Sequence, residues 1–147
     1  MVDTRIFVTQ VEPFVRSWLK EQHRSLFEPR ELELTLAQAP RGRHGFDAVS
    51  TDGRIVAGIN GSSGKTSRGK NPSGKIYKAY QELYFLSLVN AEIRLLVLTD
   101  PDFYSIMKRE TRGRLPNGVE LVLCVLPPEL QKEVDKTRAL AAREVGG

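Results

Sequence analysis

Residues 44–60 read HGFDAVSTDGRIVAGIN, and this stretch decides the fold. Two short apolar segments, 46–49 and 54–59, flank an Asp52-Gly53 pair. This is a strong hairpin signal, because the tight turn between two strands needs residues that tolerate positive φ. The stretch therefore predicts two neighbouring antiparallel strands near the middle of the chain.

The residues before this hairpin predict a helix and then a strand. The residues from Thr9 to Glu12 match a capping box that opens a helix, and Pro29 is expected to end the segment. The helix would bury one face, because its apolar residues recur at helical spacing. These residues are Val11, Phe14, Val15, Trp18, Leu19 and Leu26. The alternation of Leu32, Leu34 and Leu36 with polar residues then predicts a half-buried strand.

The residues after the hairpin predict alternating helices and strands. A Gly/Ser/Lys loop at 60–74 leads into a strongly periodic helix at 75–89 and a buried strand at 94–98. Asp100 is expected to cap a short helix, which is followed by a strand at 119–125 and a terminal helix at about 128–144. The predicted order is α-β-β-β-α-β-α-β-α, a single α/β domain over residues 1–147 with helices flanking a mixed sheet.

Length and composition exclude several classes of protein. The chain has 147 residues, and its apolar runs are too short to span a bilayer. The first ten residues contain no basic segment followed by an apolar stretch, so we expect no signal peptide. The single cysteine, Cys124, excludes an intramolecular disulfide and a cysteine-rich zinc site. A reducing cytoplasm is the expected compartment, and no membrane partner is expected.

The distribution of charge predicts an anionic partner. The net charge is only +4, but residues 53–81 contain six lysines and arginines and no acid. A second basic cluster at 108–114 adds three net positive charges. Concentrated positive segments on an otherwise acidic chain favour binding to nucleic acid, most simply double-stranded DNA. The expected nucleic-acid-binding residues are Arg41, Arg43, Lys65, Arg68, Lys70, Lys78, Arg112 and Arg114.

The element order and the residues around Asp47 resemble the PD-(D/E)XK, or restriction-endonuclease-like, family. Residues 44–49 resemble the strand on which that family places its first metal-binding aspartate, here Asp47. Residues 54–60 resemble the strand that carries the family's acid and lysine, which fall here on Gly58 and Asn60. The resemblance covers about residues 12–125 and implies a domain of nuclease descent. Because Gly58 supplies no ligand and Asn60 no positive charge, it implies a catalytic site that is incomplete or relocated.

A relocated site would use Glu82, because some members of the family carry the second acid on the following helix. Glu82 is the only acid in residues 75–89. In this reading Asp47 and Glu82 hold Mg²⁺ and Lys75 supplies the catalytic cation, with Lys65 and Lys78 also available. The protein would then be a magnesium-dependent endonuclease.

Two other functions stay open at this point. A non-catalytic protein-interaction subunit, for example a homodimer, would need no nucleic acid. A small nucleotide-binding protein is suggested by residues 58–66 and 69–75, although neither segment fully matches a phosphate-binding loop. The first segment has five residues between Gly58 and Gly64, whereas the phosphate-binding loop has four. In the second segment, Ile76 stands at the position where the loop requires a hydroxyl.

Overall fold

The Asp-Gly hairpin lies at the centre of the fold. The computed structural model describes residues 5–35, 38–65 and 72–146. Strands β2 (Arg43–Ser50) and β3 (Ile55–Asn60) are antiparallel, with Ala48 opposite Ala57. In the turn, Asp52 Oδ1 accepts hydrogen bonds from the Arg54 N–H at 3.0 Å and the Ser50 hydroxyl at 2.8 Å. Gly53 has a φ of +75°, which a residue without Cβ adopts at no steric cost. The predicted hairpin is confirmed.

Three further strands extend the hairpin into one five-stranded mixed sheet. They are β1 (Phe27–Glu33), β4 (Ile93–Leu98) and β5 (Val119–Leu123), and the strand order is β1-β2-β3-β4-β5. β1 is antiparallel to β2, whereas β3, β4 and β5 are parallel to one another. The carboxyl ends of the three parallel strands therefore lie at the same end of the sheet.

Helices cover both faces of the sheet. They are α1 (Glu12–His23), α2 (Ser73–Ser87), α3 (Pro101–Glu110) and α4 (Pro128–Gly146). α2 and α3 bury one face of the sheet in a first core, while α1 and α4 bury the other in a second core. The predicted element order and the mixed α/β sheet flanked by helices are confirmed. In residues 5–35, 38–65 and 72–146, no helix has the length and apolar character needed to cross a membrane.

The start of the chain differs from the sequence prediction. Helical structure is already present before Thr9, and a π-helical segment, Phe7–Val11, leads into α1. The Thr9 hydroxyl donates to the carbonyl of Arg5 at 2.8 Å, so it does not cap α1 and the capping-box prediction is wrong. The physical reason is burial, because Ile6 and Phe7 pack against the same core as Val11 and draw the helix upstream.

The first strand begins earlier than predicted. α1 ends at His23, and Arg24 turns the chain with a left-handed φ of 53°. Phe27 then enters the core and starts β1, so Pro29 lies inside a strand and does not end a helix. Leu36, part of the predicted alternation, lies outside the described residues. The Asp100 cap is confirmed, because its Oδ2 accepts from the Phe103 N–H at 2.9 Å.

Candidate active site

A β-bulge places Asp47. Glu28 and Arg30 on β1 lie opposite Val49 and Phe46 on β2, so three residue steps on β2 face two on β1. Pro29 lies at the irregularity and has no N–H to give to the sheet ladder. A bulge breaks the two-residue alternation of a strand and re-aims the side chains within it. Phe46 and Val49 consequently share one core, and Asp47 lies between them at the bend.

The Asp47 carboxylate closes the gap where β2 and β3 separate. The ladder pairs end at Ala48 and Ala57. Beyond them, Asp47 Oδ2 accepts a 2.8 Å hydrogen bond from the N–H of Ile59. Burial raises the pKa of Asp47, although that hydrogen bond and the charges of Arg16, His44 and Lys78 lower it. Asp47 is therefore fixed at the end of the sheet where β2 and β3 separate.

Glu82 reaches the same place from α2. Its Oε1 accepts a 2.6 Å hydrogen bond from the Asn60 amide, Nδ2. Its Oε2 lies 3.8 Å from the point that a Cβ on Gly58 would occupy. The helix carboxylate thus lies against the glycine at which the family resemblance expects an acid. Glu82 does not point into solvent on the far side of α2.

The two carboxylates are electrostatically coupled. The pKa of Glu82 is raised to about 7, chiefly by burial and in smaller part by the negative charge of Asp47, whereas the Asn60 hydrogen bond and the charge of Lys78 act to lower it. Half-buried carboxylates that repel each other are a recurrent property of functional sites, because burial and like charge shift their pKa values toward those that chemistry or ligand binding requires. A divalent cation would neutralise both.

Among the lysines that the structure describes, Lys78, and not Lys75, is the one whose charge acts on this pair. Lys78 is exposed, one helical turn before Glu82, and it lowers the pKa of both Asp47 and Glu82. Lys75 instead donates from Nζ to the carbonyls of Ser63 at 2.9 Å and Lys65 at 3.0 Å. Helical geometry explains the difference, since residues 78 and 82 are one turn apart whereas residue 75 lies beside the loop. The predicted catalytic lysine thus holds the loop before α2.

Helix α1 contributes a second charged pair that the sequence prediction missed. Arg16 donates to the Asp47 carbonyl at 3.0 Å and lies 3.7 Å from Glu12. The pKa of Glu12 is raised by burial and by the charge of Asp47, and lowered by Arg16. The i,i+4 spacing of Glu12 and Arg16 was a visible signal for a pair, but only the packing of α1 on β2 directs it to Asp47.

His44 is held beside the site by aromatic contacts. Its ring stacks on Phe85 with centroids 3.9 Å apart and an interplanar angle of 6°, and it meets Phe46 edge-on at 4.9 Å. Its charge lowers the pKa of Asp47. His44 is therefore a residue of β2 that packs against α2.

The side chain that caps α3, together with side chains from α2 and α4, holds the loop that follows β3. Asp100 accepts from the Gly64 N–H at 2.9 Å, Lys75 binds two loop carbonyls, and Arg138 of α4 donates to the carbonyl of Gly61. Asn60 Oδ1 accepts from the Ser62 N–H at 2.8 Å, while its amide holds Glu82. The first part of the predicted Gly/Ser/Lys loop is thus anchored, and Asn60 connects it to the carboxylate.

The oxygen chemistry of the site suits a hard divalent cation. Asp47 and Glu82 would be its protein ligands, since carboxylate oxygens are what Mg²⁺ prefers. Within residues 5–35, 38–65 and 72–146, no three His, Cys, Asp or Glu side chains form a group able to hold a metal ion. Mg²⁺ commonly keeps several waters and binds through one or two carboxylates plus substrate phosphate, which matches a two-carboxylate site.

Several predicted nucleic-acid-binding arginines have acidic partners. Arg41 lies 3.5 Å from Glu33, Arg43 lies 3.1 Å from Glu31, and Arg114 lies 3.6 Å from Glu110. All three arginines are exposed, so these pairs contribute little to stability but reduce the net positive charge around them. Lys65, Lys78 and Arg112 are also exposed, and Arg68 and Lys70 lie outside the described residues.

The two basic clusters lie toward opposite ends of the sheet. Residues 61–65 leave the carboxyl end of β3, next to Asp47 and Glu82. Arg112 and Arg114 lie in the connection that leads to the start of β5. Because β3 and β5 run in the same direction, the start of β5 is far from the end of β3. The loop cluster is the one that adjoins the candidate site.

Comparison with known proteins adds no relative. No family model, curated protein or solved structure matches this chain.

Proposed function

We propose that the protein is a metal-dependent nuclease that cleaves phosphodiester bonds, with Asp47 and Glu82 holding Mg²⁺. The observation that carries the proposal is the position of Glu82, whose Oε2 lies 3.8 Å from the Cβ position of Gly58 while its charge is coupled to that of Asp47. A carboxylate from α2 thereby takes the place of the acid that Gly58 lacks. The strand order and directions of the sheet agree with the α-β-β-β-α-β core that the resemblance implies.

In this function Mg²⁺ held by Asp47 and Glu82 would supply Lewis-acid stabilisation of the phosphate and would favour deprotonation of water. The residues of the chain itself hold and orient the two carboxylates. Asp47 is fixed by the Ile59 N–H and Glu82 by the Asn60 amide. Lys78 contributes a positive charge that faces both carboxylates and can approach a phosphate oxygen. The substrate is DNA, held through the acid-free basic interval at residues 53–81.

A swap of the acid between helix and strand tests the relocation directly. Glu82→Ala should reduce Mg²⁺- or Mn²⁺-dependent cleavage of labelled DNA by about 100-fold or more, because it removes a metal ligand. Adding Gly58→Glu should restore cleavage, because a Cβ at Gly58 meets only ordinary contacts and the vacated space can hold a carboxylate. The control is Gly58→Gln with Glu82→Ala, which has the same volume without the charge. Equal cleavage by the Glu and Gln double variants would reject the relocated acid.

A second function is a nucleic-acid-binding protein without cleavage. The observation that favours it is that both acids already have protein donors, Ile59 N–H for Asp47 and Asn60 for Glu82, so no cation is required to satisfy them. In that case wild type binds DNA and cleaves nothing in Mg²⁺ or Mn²⁺. Absence of binding to DNA and RNA at low salt would favour the protein-interaction subunit.

A further inference from the structure

The outer face of α2, away from Glu82, carries two exposed tyrosines. Tyr77 is 72% exposed and Tyr84 is 55% exposed. They are seven positions apart in the chain, so they lie on one stripe of the helix, about 10.5 Å apart along its axis. That separation is about three base-stacking steps of 3.4 Å, which is enough for two different bases.

The chemistry around the stripe is positive and polar. Lys78 and Gln81 are the other exposed side chains between the tyrosines, and the only acid of α2, Glu82, is turned inward onto Asn60. Residues 53–81 contain no acid at all. Exposed aromatic rings next to lysines in an acid-free interval are suited to a polyanion with flat rings.

The stripe is also continuous with the candidate site. Tyr84 contacts Phe85 edge-on at 5.7 Å, and Phe85 stacks on His44 at 3.9 Å. His44 in turn acts on Asp47 through its charge. Two aromatic contacts, Tyr84–Phe85 and Phe85–His44, therefore connect a nucleotide on Tyr84 to the surroundings of Asp47.

We propose that Tyr77 and Tyr84 form a stacking surface for unpaired bases, so that the preferred substrate is nucleic acid with a single-stranded segment next to the cleaved bond. The inference rests on the proposed nuclease function, which it deepens by naming the substrate class. Unpaired bases are required because paired bases inside a duplex do not offer their faces to a protein side chain. A second copy of the chain is a poorer occupant, because a symmetric contact would place the acid-free positive interval against itself.

Binding measured without metal separates this inference from catalysis. In EDTA, fluorescence anisotropy would compare a labelled single strand with a blunt duplex of the same sequence. Tyr77→Ala and Tyr84→Ala should each weaken single-strand binding by about tenfold or more and leave duplex binding within about twofold. Tyr→Phe at either position should retain binding, because stacking uses the ring. Val125→Ala, at an apolar residue that is 61% exposed, is the control for surface truncation.

Several outcomes would overturn the stacking surface. These are unchanged single-strand affinity in both Ala variants, an equal loss for single strand and duplex, or a wild-type dimer that the Ala variants convert to monomer. The proposed nuclease function fails separately, if wild type cleaves no nucleic acid in Mg²⁺ or Mn²⁺. If single-strand binding depends on the tyrosines but wild type does not cleave, the stacking surface is supported and the nuclease function is rejected. If wild type cleaves but binding does not depend on the tyrosines, the nuclease function is supported and the stacking surface is rejected.

Discussion

The Asn60 amide donates a 2.6 Å hydrogen bond from Nδ2 to Oε1 of Glu82, and thereby joins strand β3 to helix α2 at the candidate site. Asn60 is only 4% exposed, and its own carbonyl oxygen accepts from the Ser62 N–H. One amide thus orients the carboxylate and the loop that leaves the strand. It stands at the position where the family resemblance expects lysine, and it supplies a neutral donor in place of a cation.

Loss of this donor should raise the pKa of Glu82 above its value of about 7. The hydrogen bond from Asn60 stabilises the charged carboxylate, so Asn60→Ala removes a contribution that lowers the pKa. Carbon-13 NMR titration of the Glu82 carboxyl would measure the midpoint. Asn117→Ala, an exposed asparagine in the connection before β5, is the matched control and should leave the midpoint unchanged. A midpoint that falls in Asn60→Ala would contradict the observed contact.

The charge on Glu82 should destabilise the metal-free protein at neutral and higher pH. Its folded pKa of about 7 lies above the ordinary 4.5, so the folded state holds a proton that the unfolded state has lost. Stability should therefore fall as pH rises between these two values. Glu82→Gln, which stays neutral, should exceed wild type in free energy of unfolding by about 1–3 kcal/mol at pH 8 and match it near pH 4. Urea denaturation at both pH values would measure this, and an equal effect at both would contradict it.

Metal affinity should rise with pH up to about 7 and then level off. A cation needs the deprotonated carboxylate, so binding below the pKa of Glu82 must release a proton. The apparent Mn²⁺ affinity should increase by up to tenfold per pH unit below that pKa. Isothermal titration calorimetry in buffers of different ionisation enthalpy would count the released protons. Binding that is independent of pH between 5.5 and 7, or that persists in Asp47→Asn with Glu82→Gln, would exclude this pair as the ligands.

Substitutions at Asp47 should separate its charge from its structural hydrogen bond. Asp47→Asn keeps an oxygen for the Ile59 N–H, so the fold should persist while metal-dependent cleavage is abolished. DNA affinity should stay the same or rise, because a negative charge is removed. Asp47→Ala leaves the N–H without its partner and should lower the free energy of unfolding by about 1–3 kcal/mol. Cleavage that survives Asp47→Asn would reject the proposed site.

The salt dependence of DNA binding should identify which cations meet phosphate. Replacing Lys65, Arg68 and Lys70 with Ala should flatten the log–log salt slope by roughly three units, since each phosphate contact contributes about 0.9. The matched triple variant replaces Arg41, Arg43 and Arg114, each of which has a glutamate partner. Its slope should change less, because an arginine neutralised within the protein displaces fewer counterions from DNA. A larger change in this second variant would assign the DNA surface to the paired arginines.

The sequence by itself determined the elements whose signals are local. The Asp52-Gly53 turn, the periodic helix that became α2 and the Asp100 cap depend on neighbouring residues only, so pattern and propensity were sufficient. The same signals predicted the mixed sheet flanked by helices, and the family resemblance of the residues around Asp47 led to Asp47 and Glu82 as candidate partners. They failed at Thr9, where burial of Ile6 and Phe7 extended the helix past a correct local capping pattern.

Only the tertiary structure decided how the site is assembled. The bulge opposite Pro29 sets the direction of Asp47, the rotation of α2 selects Lys78 over Lys75 as the cation near the carboxylates, and Asn60 fixes Glu82. The physical reason is that Pro29 and Asp47, Asn60 and Glu82, and Asp47 and Lys78 are 18, 22 and 31 positions apart in the chain and meet across a sheet and a helix. Their geometry depends on register and packing angle, which no local pattern in the chain encodes.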